Sequence, residues 1–202
     1  MKIGPKFKIA RRLGAPIFEK TQTQKYQVSL SRKEAAGKMP RQSRSEYGRQ
    51  HTEKQKVRYT YGVSEKQFSN YVKKALAAGS ADQIGQLYRL LESRLDNAIY
   101  RVGLAKTRRA ARQFVSHGHL LVNGRKVTIP SYTLSEGDAI AIRPGSAGAG
   151  MFAGLSERLK EWSAPKWLTF DPERREGKVL ALPSTENAQD LDLRSVFEFY
   201  SR

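Results

Sequence analysis

Residues 94–142 read RLDNAIYRVGLAKTRRAARQFVSHGHLLVNGRKVTIPSYTLSEGDAIAI, and their periodicity changes from helical to β along the way. Leu95, Ala98, Ile99 and Val102 recur at helical spacing and fall on one side of a first helix. Thr107 offers a hydroxyl N-cap for a second helix over about Arg108–Ser116. At roughly 100° per residue, Arg108, Arg109, Arg112, Gln113 and Ser116 share one arc of that helix. Ala110, Ala111, Phe114 and Val115 share the other, and Gly118 supplies a C-cap. Leu120-Leu121-Val122 and Val127-Thr128-Ile129 flank Asn123-Gly124, the dipeptide that suits a primed turn because both its central residues need positive φ. Ser135-Glu136-Gly137-Asp138 is a second turn, leading into a return strand, Ala139–Ile142. The stretch predicts a small α/β unit with a packed side and an arginine-bearing side. Taken alone, the arginine arc fits a solvated helix face as well as a binding surface.

The charge distribution separates these readings. The 202 residues carry a net charge of +18, with a pI near 10.3. Residues 1–60 hold 16 Lys+Arg against 4 acids, residues 61–120 hold 10 against 4, and residues 121–202 hold 11 against 11. The excess is therefore +12, +6 and zero along the chain. Such polarisation costs self-repulsion unless a polyanion neutralises it, and counterion release makes a polynucleotide the leading partner. An anionic membrane is disfavoured, because the basic N-terminal region lacks a broad apolar helical face. No apolar run approaches the ~20 residues that span a bilayer, and no signal-peptide core follows the first basic residues. There is no cysteine, which excludes disulfides and thiolate metal sites and fits a cytoplasmic location.

Residues 1–44 are polar and basic, with Ile9, Leu13, Ile17 and Phe18 too few for an independent core. They predict a basic extended arm with one short helical turn, in which Phe7, Phe18 and Tyr26 stack on bases or anchor to a surface. From about Gln50 the pattern is helical. A first helix ends at Gly62, and Ser64-Glu65-Lys66-Gln67 is a capping box opening a stripe of Phe68, Tyr71, Val72, Ala75 and Leu76. Gly79 closes that helix, and Ser80-Ala81-Asp82-Gln83 opens another with Ile84, Leu87, Tyr88 and Leu91 inward. Beyond the linker at residues 146–150, a short helix over Leu155–Trp162 precedes strands at Trp167–Phe170 and Val179–Leu182. The tail from Leu191 to Tyr200 is apolar enough to dock on the helical core.

Three motifs carry a family resemblance: Tyr61-Gly62-Val63-Ser64-Glu65-Lys66-Gln67-Phe68, Leu90-Leu91-Glu92-Ser93-Arg94-Leu95-Asp96-Asn97 and Val122-Asn123-Gly124-Arg125. With them the chain closely resembles the bacterial-type small-subunit ribosomal protein S-four family, from Gly4-Pro5 to Phe199-Tyr200-Ser201-Arg202. The resemblance implies an α+β fold in which a helical domain (45–92 plus 186–202), preceded by the arm (1–44), carries an inserted α/β domain (93–185) with the RNA-binding module at 94–143. It implies a structural component of the small ribosomal subunit, cytoplasmic, that binds a multi-helix junction of ribosomal RNA (rRNA) and nucleates assembly. It also implies contact with neighbouring ribosomal protein S-five and with messenger RNA (mRNA) where that strand enters the subunit, with an effect on translational accuracy. Carried over by residue, the RNA face comprises Arg94, Arg108, Arg109, Arg112, His117, His119, Asn123, Arg125 and Lys126 of the module. Tyr47, Arg49, Lys54, Gln55, Lys56, Arg58 and Lys66 join it from the helical domain, and Lys2, Lys6, Lys8, Arg11 and Arg12 from the arm. Arg41, Arg44 and Arg49 are assigned to the mRNA side.

One departure from the family is plain. Many members hold zinc with four arm cysteines; here Phe7 and Ala10 stand at the first pair, and Gln24 or Lys25 and Ser29 near the second. No thiolate site is possible, so neither metal nor cofactor is expected. His117-Gly118-His119 has a metal-like spacing with no further ligand to complete it. Arg94-Leu95-Asp96 resembles the catalytic triplet of pseudouridine synthases, some of which carry the same module. In those enzymes the aspartate follows the module in a much larger domain, so Asp96 is expected to cap locally or to pair with a neighbouring arginine. A stand-alone RNA chaperone is disfavoured by the match outside the module.

Overall fold

The N-terminal arm buries a small aromatic cluster of its own. The protein is described by a computed structural model at residues 3–38, 45–79, 81–185 and 191–201. The chain divides into two compact units, Met1–Ile84 with Ala188–Arg202, and Gly85–Asn187. The fold class is α+β. Contrary to the expectation of an extended arm, residues 3–38 are mostly helical: α1 (Lys6–Leu13), a 3₁₀ turn (Glu19–Gln22) and α2 (Gln24–Ala35). Ala10, Phe18 and Tyr26 form a buried cluster; Phe7 meets Tyr26 edge-on at 5.1 Å, and Phe18 meets Tyr59 at 6.2 Å. Tyr59 belongs to α3 (Glu46–Tyr61), so the arm is part of the first unit rather than an appendage to it.

Helix α3 starts at Ser45, whose hydroxyl accepts from the Gly48 N–H at 3.1 Å, and ends at left-handed Gly62. The capping box opens α4 (Glu65–Ala77) as expected, Ser64 accepting from the Gln67 N–H at 3.3 Å. Phe68, Val72 and Ala75 are buried, whereas Leu76 is exposed. Ser80 lies outside the described residues. Helix α5 (Gln83–Glu92) buries Leu87, Tyr88 and Leu91 but leaves Ile84 exposed, and the second unit begins within it.

In the second unit, α6 (Leu95–Arg101) and α7 (Arg108–Ser116) precede β1 (Leu120–Val122), β2 (Arg125–Lys126) and β3 (Ala139–Ile142). Then come α8 (Leu155–Lys160), β4 (Leu168–Asp171) and β5 (Glu176–Val179). The sheet is antiparallel in the order β2-β1-β3-β5-β4. Leu95, Ile99, Leu104, Ala111, Val115, Leu120 and Ile140 form one core with Phe152, Leu155, Trp167 and Val179. Two strands differ from expectation. The second strand of the hairpin is Arg125–Lys126, leaving Ile129 exposed instead of paired. Strand β5 uses the polar run Glu176–Val179, not Val179–Leu182, and Leu180 and Leu182 are exposed. Gly177 explains the second case: it pairs with Phe170, and any Cβ there would collide with the Thr169 carbonyl and the Phe170 ring.

The last helix, α9 (Leu193–Tyr200), returns to the first unit and packs along α3, as the apolar tail predicted. Asp192 caps it, accepting from the Ser195 N–H at 3.0 Å. Glu65 of α4 fastens this end, accepting from Lys54 at 2.7 Å and the Tyr200 hydroxyl at 3.0 Å, with Arg58 at 3.3 Å. Burial raises the Glu65 pKa, but the Lys54 bond and charge, Tyr200 and Arg58 outweigh it and hold the carboxyl below its usual range. A depressed carboxylate contributes stability above its unfolded value that is lost as pH falls through the folded one. Glu65→Gln should therefore melt below the parent protein at pH 7, and the gap should close as pH falls below about 4.3. Thermal melts between pH 7 and 3 test this; a gap that persists at pH 3 would refute the assignment.

Candidate nucleic-acid interface

The arginine arc of α7 forms as the periodicity requires. Thr107 accepts from the Ala110 N–H at 3.0 Å, Ala111 and Val115 face the core, and Arg108, Arg109 and Arg112 lie on the outer arc. Two buried carboxylates underlie it. Asp96 faces Arg94 through Nε at 3.0 Å and Nη2 at 2.8 Å, and takes Arg112 Nε and Nη2 at 2.9 and 2.7 Å. Glu92, fully buried, accepts from Asn97 Nδ2 at 2.9 Å and from Arg101 Nε and Nη2 at 2.9 and 2.7 Å. The Asn97 carbonyl in turn accepts from Arg108 Nε at 2.9 Å, while the Arg108 guanidinium lies 4.4 Å from the Tyr100 ring centroid. Burial and the Glu92 charge push the nearby Tyr88 phenol up to about 12, so it stays protonated. Arg108 and Arg112 are thus held in fixed directions, which lowers the side-chain entropy a ligand would have to remove.

Arg94 is corrected by this geometry. Its side chain is 1% exposed and belongs to the Asp96 network rather than to the surface. Two guanidinium groups surround Asp96, so of the two roles expected for it, a local cap or an arginine pair, the structure shows the pair. Arg109 and Arg125 are exposed, and Asn123 is tied to the second turn, donating to Asp138 at 2.7 Å and accepting from the Ala139 N–H at 2.9 Å. Gly118 has φ of 70°, and a Cβ there would strike the Lys126 stem, so Lys126 lies across the turn between His117 and His119. The two imidazoles are 5.9 Å apart; among the described residues no group of three or more His, Cys, Asp or Glu could hold a metal.

In the first unit, Lys8, Arg12 and Lys66 are exposed, Lys6 sits 5.5 Å from the Phe18 ring, and Arg11 donates to Ser29 at 3.4 Å. Tyr47 is exposed and tilts against Phe199 at 5.4 Å. Arg49 pairs with Glu46 at 2.8 Å, Lys56 with Glu53 at 2.7 Å, and Gln55 reaches His51 at 3.4 Å. Burial, Lys54 and Arg58 lower the His51 pKa. Lys54 is a second correction: it is buried against Glu65 and lies 4.1 Å from the Phe199 ring, so its charge is spent inside the unit. Arg58 is half-buried over Tyr59 at 4.8 Å. Lys2, Arg41 and Arg44 lie outside the described residues. Tyr100 under Arg108 and Arg101 on Glu92 complete the α6–α7 network, and the sequence reading named neither.

An S4-domain profile matches residues 93–140, and a profile of the ribosomal protein S4/S9 N-terminal domain matches residues 1–92. The small ribosomal subunit protein uS4 of Roseiflexus castenholzii is 44% identical over 203 residues, covering 99% of this chain and 98% of that protein. The chain belongs to the uS4 family. The uS4 proteins of Persephonella marina and Listeria monocytogenes are 44% and 42% identical, each with 98% of both chains covered. The uS4 family is a structural one and not a family of enzymes, in keeping with an Asp96 enclosed by arginines. No helix among the described residues is long and apolar enough to cross a membrane.

Proposed function

We propose that this chain is a primary rRNA-binding protein of the small ribosomal subunit. It grips a multi-helix junction and nucleates assembly of the subunit body. The observation that carries the reading is the α7 arc, in which Asp96 sets Arg112, Asn97 sets Arg108 and Arg109 stands exposed beside them, in a chain aligned end to end with uS4 proteins. Cations at fixed positions read the shape and backbone of folded RNA, where phosphate contacts set register. The exposed Lys8 and Arg12 of α1 and Arg49 of α3 add contacts from the first unit. Arg49, with Arg41 and Arg44, is assigned to the mRNA side, and the family resemblance adds contact with a neighbouring protein S-five.

Salt dependence is the test. With the full-length protein and a transcript of the junction, Arg108→Ala with Arg109→Ala should weaken binding and reduce the slope of log K against log salt by about 0.7–0.9 per lost phosphate contact. An unchanged slope would place the arc in solvent and remove the reading. Asp96-linked Arg112 should contribute less to the slope than Arg109, since its charge is already balanced in the free protein.

A further inference from the structure

Cations on the module divide into two kinds. Arg94, Arg101 and Arg112 face carboxylates, whereas a second group at the end of α7 and the start of the sheet is held by neutral partners. His119 precedes β1, and Arg143 follows β3; the Arg143 N–H donates to the His119 carbonyl at 2.9 Å, which fixes the two residues side by side. Ser146, 3% exposed, stands between their side chains. Its Oγ lies 2.9 Å from His119 Nδ1 and accepts from Arg143 Nε at 3.4 Å. Phe114 and Phe152 meet the His119 ring edge-on, each at 6.4 Å, and lie 5.5 Å from one another, so the ring rests against an aromatic pair. With Nδ1 engaged by Ser146, Nε2 is the ring atom left for a ligand. His117 stands 5.9 Å away, and Lys126 crosses Gly118 between the two imidazoles.

We propose that His119 and Arg143, positioned by Ser146 and flanked by His117 and Lys126, form a seat for one backbone phosphodiester of the bound RNA, and that His119 takes up a proton as the phosphate enters. The proposal rests on the RNA-binding reading above and adds Arg143 and Ser146 to the interface. Charge selects the ligand class. Burial, and then the charges of His117 and Arg143, hold the His119 pKa below the usual value in the free protein. An arriving phosphate reverses that field. The imidazolium then donates from Nδ1 to Ser146 and from Nε2 to a phosphate oxygen, while the Arg143 guanidinium supplies a second charge-assisted bond. Lys126, which crosses Gly118 beside the ring, is a further positive charge, and Phe114, Phe152 and Ser146 carry none.

Linkage gives the sign. A histidine whose pKa is raised in the complex strengthens binding fully below its free pKa, and this contribution fades as pH rises through the bound value. Each unit of pKa difference is tenfold in affinity, so binding of the junction transcript should tighten about tenfold between pH 8 and 5.5 at constant salt. His119→Asn should flatten this profile, and the ratio of parent to variant cancels any titration of the RNA itself. Arg143→Gln should weaken binding and lower the salt slope by about 0.7–0.9. Ser146→Ala should move the midpoint of the pH profile, whereas a merely structural serine would change stability and leave the midpoint in place. NMR titration of the His119 ring in the parent protein, free and RNA-bound, should show the pKa rise without any variant having to fold. Arg109→Ala separates the two readings. If it weakens binding while Arg143→Gln and the His119 titration are unchanged, the phosphate seat is overturned and the RNA interface stands; if none has an effect, both fall.

Discussion

Asp96→Ala should destabilise the second unit by about 3–5 kcal/mol, the range expected when one partner of a buried ion pair is removed. The size follows from what remains. Arg94 is 1% exposed and would keep a buried guanidinium without the carboxylate that now meets it through two bonds at 2.8 and 3.0 Å. Arg112 would lose its tether as well, but at 28% exposure it can turn to water, so most of the loss belongs to Arg94. Asp96→Asn keeps the volume and some hydrogen bonding while losing the charge, and should fall between the two. Adding Arg94→Met to Asp96→Ala should recover much of the stability, since replacing buried ions by packed apolar groups is often neutral. The only two tryptophans, Trp162 and Trp167, both lie in this unit, so urea unfolding followed by their fluorescence reads it directly. A loss below about 1 kcal/mol would mean that Arg94 relaxes into solvent and that the network is not what holds the arc.

The α6-to-β3 module was legible because its signals are local. A hydroxyl cap, a 3.6-residue stripe and Asn-Gly each act over a few residues, and all point to the same unit. What failed was long-range. An arginine count treats Arg94 as surface, although an Arg-x-Asp at a helix start on the core side allows an internal pair. Lys54 gave no sign, because Glu65 and Phe199 reach it from other helices. The apolar run at 179–182 outscored the polar strand 176–179, since the advantage of Gly177 is a close backbone approach that hydropathy does not register.

The arm is the sharpest case of the same problem, and it sets the second large expected effect. Phe18→Ala should unfold α1 and α2 while leaving the second unit intact. Phe18 is 4% exposed, and truncating a buried phenylalanine costs about 3–5 kcal/mol. A cluster of Ala10, Phe18 and Tyr26, flanked by Phe7 and Tyr59, has little reserve against such a loss. Its members are separated in sequence, one is only an alanine, and Tyr59 comes from α3, so no single window of sequence looks apolar enough to fold. Ala10 of this cluster and Phe7 beside it stand where the family resemblance would put the first pair of zinc-binding cysteines, so a chelator should leave α1 and α2 protected from amide exchange. RNA binding then distinguishes order from charge. Phe18→Ala retains Lys6, Lys8, Arg11 and Arg12, and the finished complex can make the same phosphate contacts. The salt slope should stay near that of the parent, while affinity drops because the arm must be ordered on binding. A local ordering cost of about 3 kcal/mol corresponds to roughly a hundredfold. Deleting the four cations should do the reverse, lowering the slope with α1 and α2 still protected. If Phe18→Ala instead lowers the slope and leaves amide protection in α1 and α2 unchanged, the aromatic cluster is not what orders the arm.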